Sequence, residues 1–309
     1  MQQPNKVAPL RLKMKQEVII AIAFDEGYSE QATVMLYSLL ANSRRPFTIY
    51  AFYNALSEST KNRILSNLSA FTHFTLCWTP FDKSVLDSFS IRKGHVNEYT
   101  YTRLFIPALL PKVDRILYLD CDMVITGDVA ALWEMNLQGK TLAAVEDLSK
   151  FERHEELLMP RGAKYFNAGV LLIDAKKWRA DNDSERITQR LLQLGGKAAW
   201  WDQDGLNSVL YDDWIQIPQQ WNIQAHDVFL AQEEGVKNLK KHLTPKIIHF
   251  TGTLKPWNYK SSSPFKNEYY TYLAQTDFKR THRPQNKTPL NMMRRTVRNV
   301  FVKTGLLKY

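Results

Sequence analysis

Short runs that are apolar on both alternating faces constrain this chain more than any other feature. Residues 17–23 (EVIIAIA), 47–54 (FTIYAFYN), 74–80 (FTLCWTP) and 115–119 (RILYL) are of this kind. Such runs suit strands buried on both faces, as in a parallel sheet covered by helices. Between the first two, Ala32, Leu36, Leu39 and Leu40 recur at helical spacing. Residues 57–71 (SESTKNRILSNLSAF) read as a second helix, with Ser57 or Ser59 as its N-cap. Residues 97–111 read as a helix ended by Pro111. TLAAVED (141–147) is a further strand, YFNAGVLLIDAKKW (165–178) a strand running into a helix, and KIIHFTG (246–252) a late strand. This alternation predicts an α/β fold with a single Rossmann-like, doubly wound, mainly parallel sheet. The chain has 309 residues, 44% of them hydrophobic, so it buries a sizeable core without staples.

Ligands of open α/β sheets bind beyond the carboxyl ends of the strands. Asp120 and Asp122 lie there, one residue apart, directly after RILYL. In an extended segment residues i and i+2 point the same way. Two carboxylates roughly 5 Å apart repel by about 3 kcal/mol at an effective dielectric near 20. A shared proton, a basic side chain or a hard divalent cation would each offset that repulsion. Asp25, Asp147 and His249 also fall at or near strand ends.

The only cysteines are Cys77 and Cys121, without metal or redox spacing. That pattern suits a reducing compartment. Cys121 reads as a small buried residue facing away from the two aspartates. Residues 1–15 are polar and basic and are expected to be disordered. No signal peptide is visible, and the early apolar run 18–24 is too short to span a bilayer. The net charge is +10, and residues 278–309 carry nine basic residues and no acidic one. The basicity therefore belongs to a tail, which argues against a nucleic-acid groove across the main domain. Within that tail Leu290, Met293, Val297, Val300, Phe301 and Leu307 fall near one helical face. Arg294, Arg295, Arg298 and Lys303 fall largely on another, a pattern of a membrane-surface helix. A plain solvated or disordered basic end is the simpler alternative. The expected organisation is a disordered start (1–15), a main domain (16–277) and a basic amphipathic tail (278–309).

Three further stretches carry possible chemistry. HFTGTLKPW (249–257) reads plainly as a strand, a glycine turn and a proline-limited loop. Functionally, neutral His249 could complete a cation's coordination, Gly252 would allow close backbone approach to phosphate, and Lys255 would supply charge to a diphosphate. WWDQDGLN (200–207) suits an exposed helix N-terminus, where acids complement the helix dipole. It also suits a sugar site, with tryptophan faces on the ring and Asp202 and Gln203 on its hydroxyls. NAG (167–169) says little alone.

Taken together, AFDEGY, YTYTRL, LYLDCDMVI, YFNAGVLLID, WDQDGLN and HFTGTLKPW occur in the order found in glycosyltransferase family 8. Over roughly residues 17–260 the chain resembles that family, the retaining bacterial galactosyl- and glucosyltransferases of lipopolysaccharide, with glycogenin as a distant relative. The resemblance implies a GT-A fold. It implies that Asp120, Asp122 and His249 hold Mn²⁺, or Mg²⁺ in its place, against the diphosphate of a UDP-sugar. Ala23, Asp25 and Tyr28 would form the uracil and ribose site. Arg103, Asn167, Asp202 and Gln203 would surround the donor hexose, with Asp147 close to the acceptor. Gly252 and Lys255 would contact phosphate, and Cys121 and Ala168 would border the nucleotide-sugar. Gly27 stands where relatives often carry Asn, which removes a side-chain contact to the nucleotide.

The implied reaction is transfer of galactose or glucose from a UDP-sugar to an oligosaccharide or lipid-linked glycan, with retention of anomeric configuration. The catalytic group would be Gln203, Asp202 and Asp147. Gln203 is a poor nucleophile, which favours front-face displacement over a covalent intermediate. The implied setting is the inner face of the cytoplasmic membrane, with the tail on anionic lipid and no nucleic-acid partner. The competing expectations are a non-catalytic carbohydrate- or membrane-binding protein on the same fold, and a basic-tailed adaptor.

Overall fold

The computed structural model describes residues 17–82, 84, 98–147, 152–236, 239–253, 255–293 and 297. The expected disorder of residues 1–15 lies outside them. In chain order the strands are β1 (Val18–Ala23), β2 (Phe47–Tyr53), β3 (Phe74–Pro80), β4 (Arg115–Leu119), β5 (Met123–Ile125), β6 (Leu142–Glu146), β7 (Phe166–Asp174), β8 (Trp214–Gln216), β9 (Ile223–Gln224) and β10 (Ile247–His249). Seven form one sheet in the order β3-β2-β1-β4-β7-β6-β8, and β5, β10 and β9 form a second in the order β5-β10-β9.

The mainly parallel α/β sheet expected from the apolar runs is present. β1 pairs parallel with β2 and β4, β2 with β3, and β6 with β8. Alternate residues of the central strands feed different cores. Val18, Ile20, Ile22, Leu117 and Leu119 join one buried cluster, and Ala21, Ile116 and Tyr118 join another. Both faces of β1 and β4 are therefore covered, which is why these strands lack polar alternation. Each fully buried Ile or Leu here contributes about 1.5–3 kcal/mol.

β7 departs from the parallel pattern: it runs antiparallel to both β4 and β6. Its first residues consequently lie beside the carboxyl ends of its neighbours. Asn167 and Ala168 are thereby brought to the edge that carries Asp120 and Asp147. The strand order reverses between β1 and β4, so Asp25 and Asp120 flank the switch point where open sheets hold ligands.

Ser57 caps the helix Glu58–Leu68, its side chain accepting from the Thr60 amide at 3.2 Å. The helix expected over residues 97–111 is instead two pieces, a 3-10 helix Glu98–Leu104 and one α-turn Ile106–Leu109. Pro107 is the reason. It offers no N–H, and its ring would collide with the carbonyl four residues back, at Arg103. The break leaves Arg103 in the last 3-10 turn. In the second sheet, β10 pairs antiparallel with β5, with His249 opposite Met123. The Phe250 amide donates to the Asp122 carbonyl at 2.9 Å, which fixes β10 against the aspartate turn.

The chain beyond residue 277 begins on the main body. Arg63 pairs with Asp277 at 3.1 Å and lies 3.7 Å above the Phe278 ring. The Gln285 amide donates to the Trp257 carbonyl and the Tyr259 amide to the Gln285 carbonyl, each at 2.8 Å. Leu290, Met293 and Val297 are exposed. Val300, Phe301, Leu307 and the cluster Arg294, Arg295, Arg298 and Lys303 lie outside the described residues. Among the described residues no helix is long and apolar enough to cross a membrane.

Candidate active site

Two chain segments meet at the carboxyl edge of β4. Asp120 directly follows the strand, Asp122 comes one bend later, and β10 delivers His249 across from β5. One ligand atom from each of Asp120, Asp122 and His249 lies within 4.8 Å of the others. His249 Nε2 is 3.2 Å from Asp122 Oδ1 and 3.8 Å from Asp120 Oδ2. Two carboxylates and an imidazole are a donor set that suits a borderline divalent cation.

Basic side chains also answer the repulsion between the aspartates. Arg103 Nη2 lies 3.1 Å from Asp120 Oδ1. Lys255 Nζ donates to Asp122 Oδ2 and to the Phe250 carbonyl. Burial by itself pushes the Asp122 carboxyl up, but Lys255 and His249 outweigh it and hold the group well below the usual carboxylate range. The carboxyl is thus held in its ionised form. Arg103 is buried, which would favour its neutral form, but Asp120 and Asp202 more than compensate and keep it charged. Tyr118 adds its hydroxyl to Asp120 Oδ1 at 2.8 Å, below the Arg103 guanidinium.

Asp202 and Gln203 stand on the helix Trp201–Leu210, on the far side of Arg103. Asp202 Oδ2 is 2.8 Å from Arg103 Nε, yet that N–H is aimed at the Thr100 carbonyl. The contact is therefore electrostatic, and Asp202 Oδ2 accepts no hydrogen bond among the described residues. Burial is the main reason that the Asp202 carboxyl is pushed up to about 6, with Arg103 opposing and Asp120 adding to the rise. Gln203 has a fixed orientation. Its Oε1 accepts from the Ala168 amide at 2.9 Å, and its Nε2 donates to Asp147 Oδ2 at 3.3 Å. Arg103 also donates to the Ala168 carbonyl, so both peptide groups of that residue are engaged.

The residues expected at the nucleotide lie at the neighbouring strand end. Asp25 Oδ1 accepts from the Tyr28 amide at 3.1 Å and caps the short helix Glu26–Tyr28. A Cβ at Gly27 would stand 3.2 Å from that same oxygen, so glycine leaves Asp25 room. Tyr28 rests edge-on against Trp257, ring centroids 6.0 Å apart. Cys121 is buried, its thiol 3.6 Å from the Ala23 carbonyl, as a small packing residue would be. Gly252 has φ +65°, the left-handed region that glycine enters without strain. The structure thus brings Asp120, Asp122, His249, Lys255 and Arg103 into one cluster, and Asn167, Ala168, Asp202, Gln203 and Asp147 beside it. Ala23, Asp25, Tyr28 and Cys121 form the wall at the end of β1. Two open clefts of about 440 and 410 Å³ share Arg186, Val209 and Asp212 and touch none of these residues.

Sequence reasoning passed over the segment NIQAHD (222–227). It supplies Asn222, whose Oδ1 is 3.0 Å from His249 Nδ1, and Gln224, whose Oε1 accepts from Asn167 Nδ2 at 3.1 Å. It also supplies Asp227, whose carboxyl is pushed up to about 6 by burial and by Asp147, against His249. Nothing in its composition marks it, because β9 is only two residues long and the polar residues read as loop.

Comparison with known proteins agrees with this geometry. Residues 19–261 match the family model described as glycosyl transferase family 8. General stress protein A of Bacillus subtilis is 28% identical over 274 residues, covering 85% of this chain and 95% of that protein. The lipopolysaccharide 1,2-glucosyltransferase of Escherichia coli K12 is 31% identical over 189 residues, covering 58% of this chain and 55% of that enzyme. Among solved structures, the galactosyltransferase LgtC with donor and acceptor sugar analogues superposes with a TM-score of 0.75 at 21% identity, covering 84% of this chain and 96% of that one. The glycosyltransferase GlyE of Streptococcus pneumoniae superposes with a TM-score of 0.65 at 23% identity, covering 88% and 66%. The fold is therefore the GT-A fold of these transferases. The family match over most of the length, on a strand edge that carries the acidic pair and its histidine, establishes that the chain belongs to glycosyl transferase family 8.

Proposed function

We propose that this protein transfers a hexose, galactose or glucose, from a UDP-sugar to a saccharide acceptor in surface-glycan synthesis, with a divalent cation and with retention of configuration. The observation that carries the reading is the Asp120–Asp122–His249 cluster with Lys255 bonded into it. Asp120, Asp122 and His249 would hold Mn²⁺, which supplies charge neutralisation to the departing diphosphate. Lys255 adds a second positive charge at the same place. Arg103, fixed and charged between Asp120 and Asp202, ties the cation side of the site to the sugar side. Asp202 and Asn167 are the groups for the hexose hydroxyls, and Asp147 stands toward the acceptor.

Retention is what the family likeness implies, and the route to it depends on what Gln203 has to offer. Its carbonyl oxygen is already taken by the Ala168 amide, so it presents N–H rather than a nucleophile. That supports front-face displacement, in which the leaving phosphate accepts the acceptor's proton. The basic tail is the element that would place the enzyme on the anionic inner face of the cytoplasmic membrane, near a lipid-linked acceptor. Screening nucleotide-sugars for UDP release with Mn²⁺ tests the reading. Turnover of UDP-galactose or UDP-glucose is expected. A preference for a GDP- or CMP-sugar, or sugar binding without turnover of any donor, would overturn it.

A further inference from the structure

We propose that Asn222 is a positioning residue that decides which ring nitrogen of His249 carries the proton, through a relay anchored on the backbone of Gly169. The proposal rests on reading Asp120, Asp122 and His249 as a cation site. The relay starts from a group whose role is fixed. The Gly169 backbone N–H can only donate, and it lies 3.0 Å from Asn167 Oδ1, which must therefore be the oxygen of that amide. The Asn222 atom 2.8 Å from the same oxygen must then be the nitrogen. That turns the Asn222 oxygen toward His249 Nδ1, at 3.0 Å. An oxygen there requires Nδ1–H. In the neutral ring the lone pair is consequently on Nε2, the atom that faces Asp122 and Asp120.

Without the relay, the neutral ring could instead carry its proton on Nε2 and donate it to Asp122, which would occlude the cation's third ligand. Gly169 contributes a second time, through space. A Cβ at that position would lie 2.3 Å from His249 Cε1 and 2.7 Å from Nδ1. Glycine is therefore needed for the imidazole to stand where it does. Asn222 is fully buried and Asn167 nearly so, so water does not compete for these amides. Outer groups that orient a ligating histidine typically govern 10–100-fold in metal affinity.

The test is made on the full chain. In metal-free protein labelled with ¹⁵N-histidine, at a pH where the ring is neutral, the His249 spectrum should show a protonated Nδ1 and a bare Nε2. Asn222→Leu should move that proton toward Nε2 and weaken Mn²⁺ binding, measured by calorimetry with UDP present, by about 10–100-fold. Asn222→Asp, which still accepts from Nδ1–H but gives up the N–H donated to Asn167 Oδ1, should keep the proton on Nδ1 in the same spectrum. Gly169→Ala should displace the ring and lower Mn²⁺ affinity. A wild-type spectrum with the proton on Nε2, or Asn222→Leu protein that binds Mn²⁺ like wild type, overturns the proposal. If wild type binds no Mn²⁺, the cation reading fails while the spectrum still decides the relay. If Asn222→Leu does not fold, the wild-type spectrum decides alone.

Discussion

Asp120 and Asp122 are chemically alike but electrostatically separate. Asp120 is held by Arg103 and Tyr118, Asp122 by Lys255. Because Asp122 titrates well below the usual range in the folded chain, its contribution to stability is fully present above the unfolded value near 3.9 and is lost as pH falls through the folded one. Lys255→Met leaves burial opposed only by His249, so acid unfolding should begin at a higher pH, followed by circular dichroism. Asp202 has the opposite sign. Its folded carboxyl sits at about 6, above the unfolded value, so it costs stability as pH rises from 4 to 6 and continues to do so above that. Asp202→Asn should therefore gain up to about 3 kcal/mol on wild type between pH 4 and pH 7.5. It should also lower turnover strongly with little change in UDP affinity, since its proposed contact is to the sugar. Chemical denaturation at the two pH values and steady-state kinetics check both. At this scale the sequence revealed the acids and the lysine, because strand ends are legible. Asn222 was not legible, because its role depends on a contact with residue 249 that no local pattern encodes.

Among the elements, the parallel half of the sheet was readable because doubly covered strands lose polar alternation. The direction of β7 was not. FNAGVLLID is apolar throughout, and nothing in such a run records which way it points. Yet that direction places Asn167 and Ala168 at the site. The break at Pro107 was readable in principle and is the reason Arg103 turns inward from a 3-10 end. Helix caps are the safest local signal, and Ser57 caps as expected. Ser57→Ala should cost about 1 kcal/mol. That would lower the melting temperature by about 2–4 °C in a domain of this size. Ser57 also donates its amide to Glu26, beside Asp25, at 3.0 Å, so UDP affinity should fall slightly along with the helix; a melt and a titration on the same variant check this.

Across the whole molecule, the proposed membrane contact falls to the tail and the proposed transfer to the acidic edge. The chain past residue 277 starts from a fixed mooring on Arg63 and on the loop after Lys255, and it exposes Leu290, Met293 and Val297. Each basic residue near an anionic surface adds about 1 kcal/mol, so nine could dock the protein reversibly. Deleting residues 290–309, beyond the part that packs on the main body, should abolish sedimentation with anionic vesicles at low salt, while turnover on a soluble acceptor largely survives. A truncated protein that still sediments would place the membrane contact elsewhere. The charge imbalance that suggests this was plain in the sequence.

The central claim is that the edge formed by Asp120, Asp122 and His249 drives transfer from a UDP-hexose through a bound divalent cation. The most direct measurement is turnover of UDP-galactose and UDP-glucose before EDTA, after EDTA, and after Mn²⁺ is returned in excess, for wild type, Asp120→Asn and His249→Ala. Wild type should lose activity with EDTA and regain it with Mn²⁺, and both folded variants should be inactive throughout. Full turnover in EDTA, or unimpaired turnover by either variant, would contradict the account.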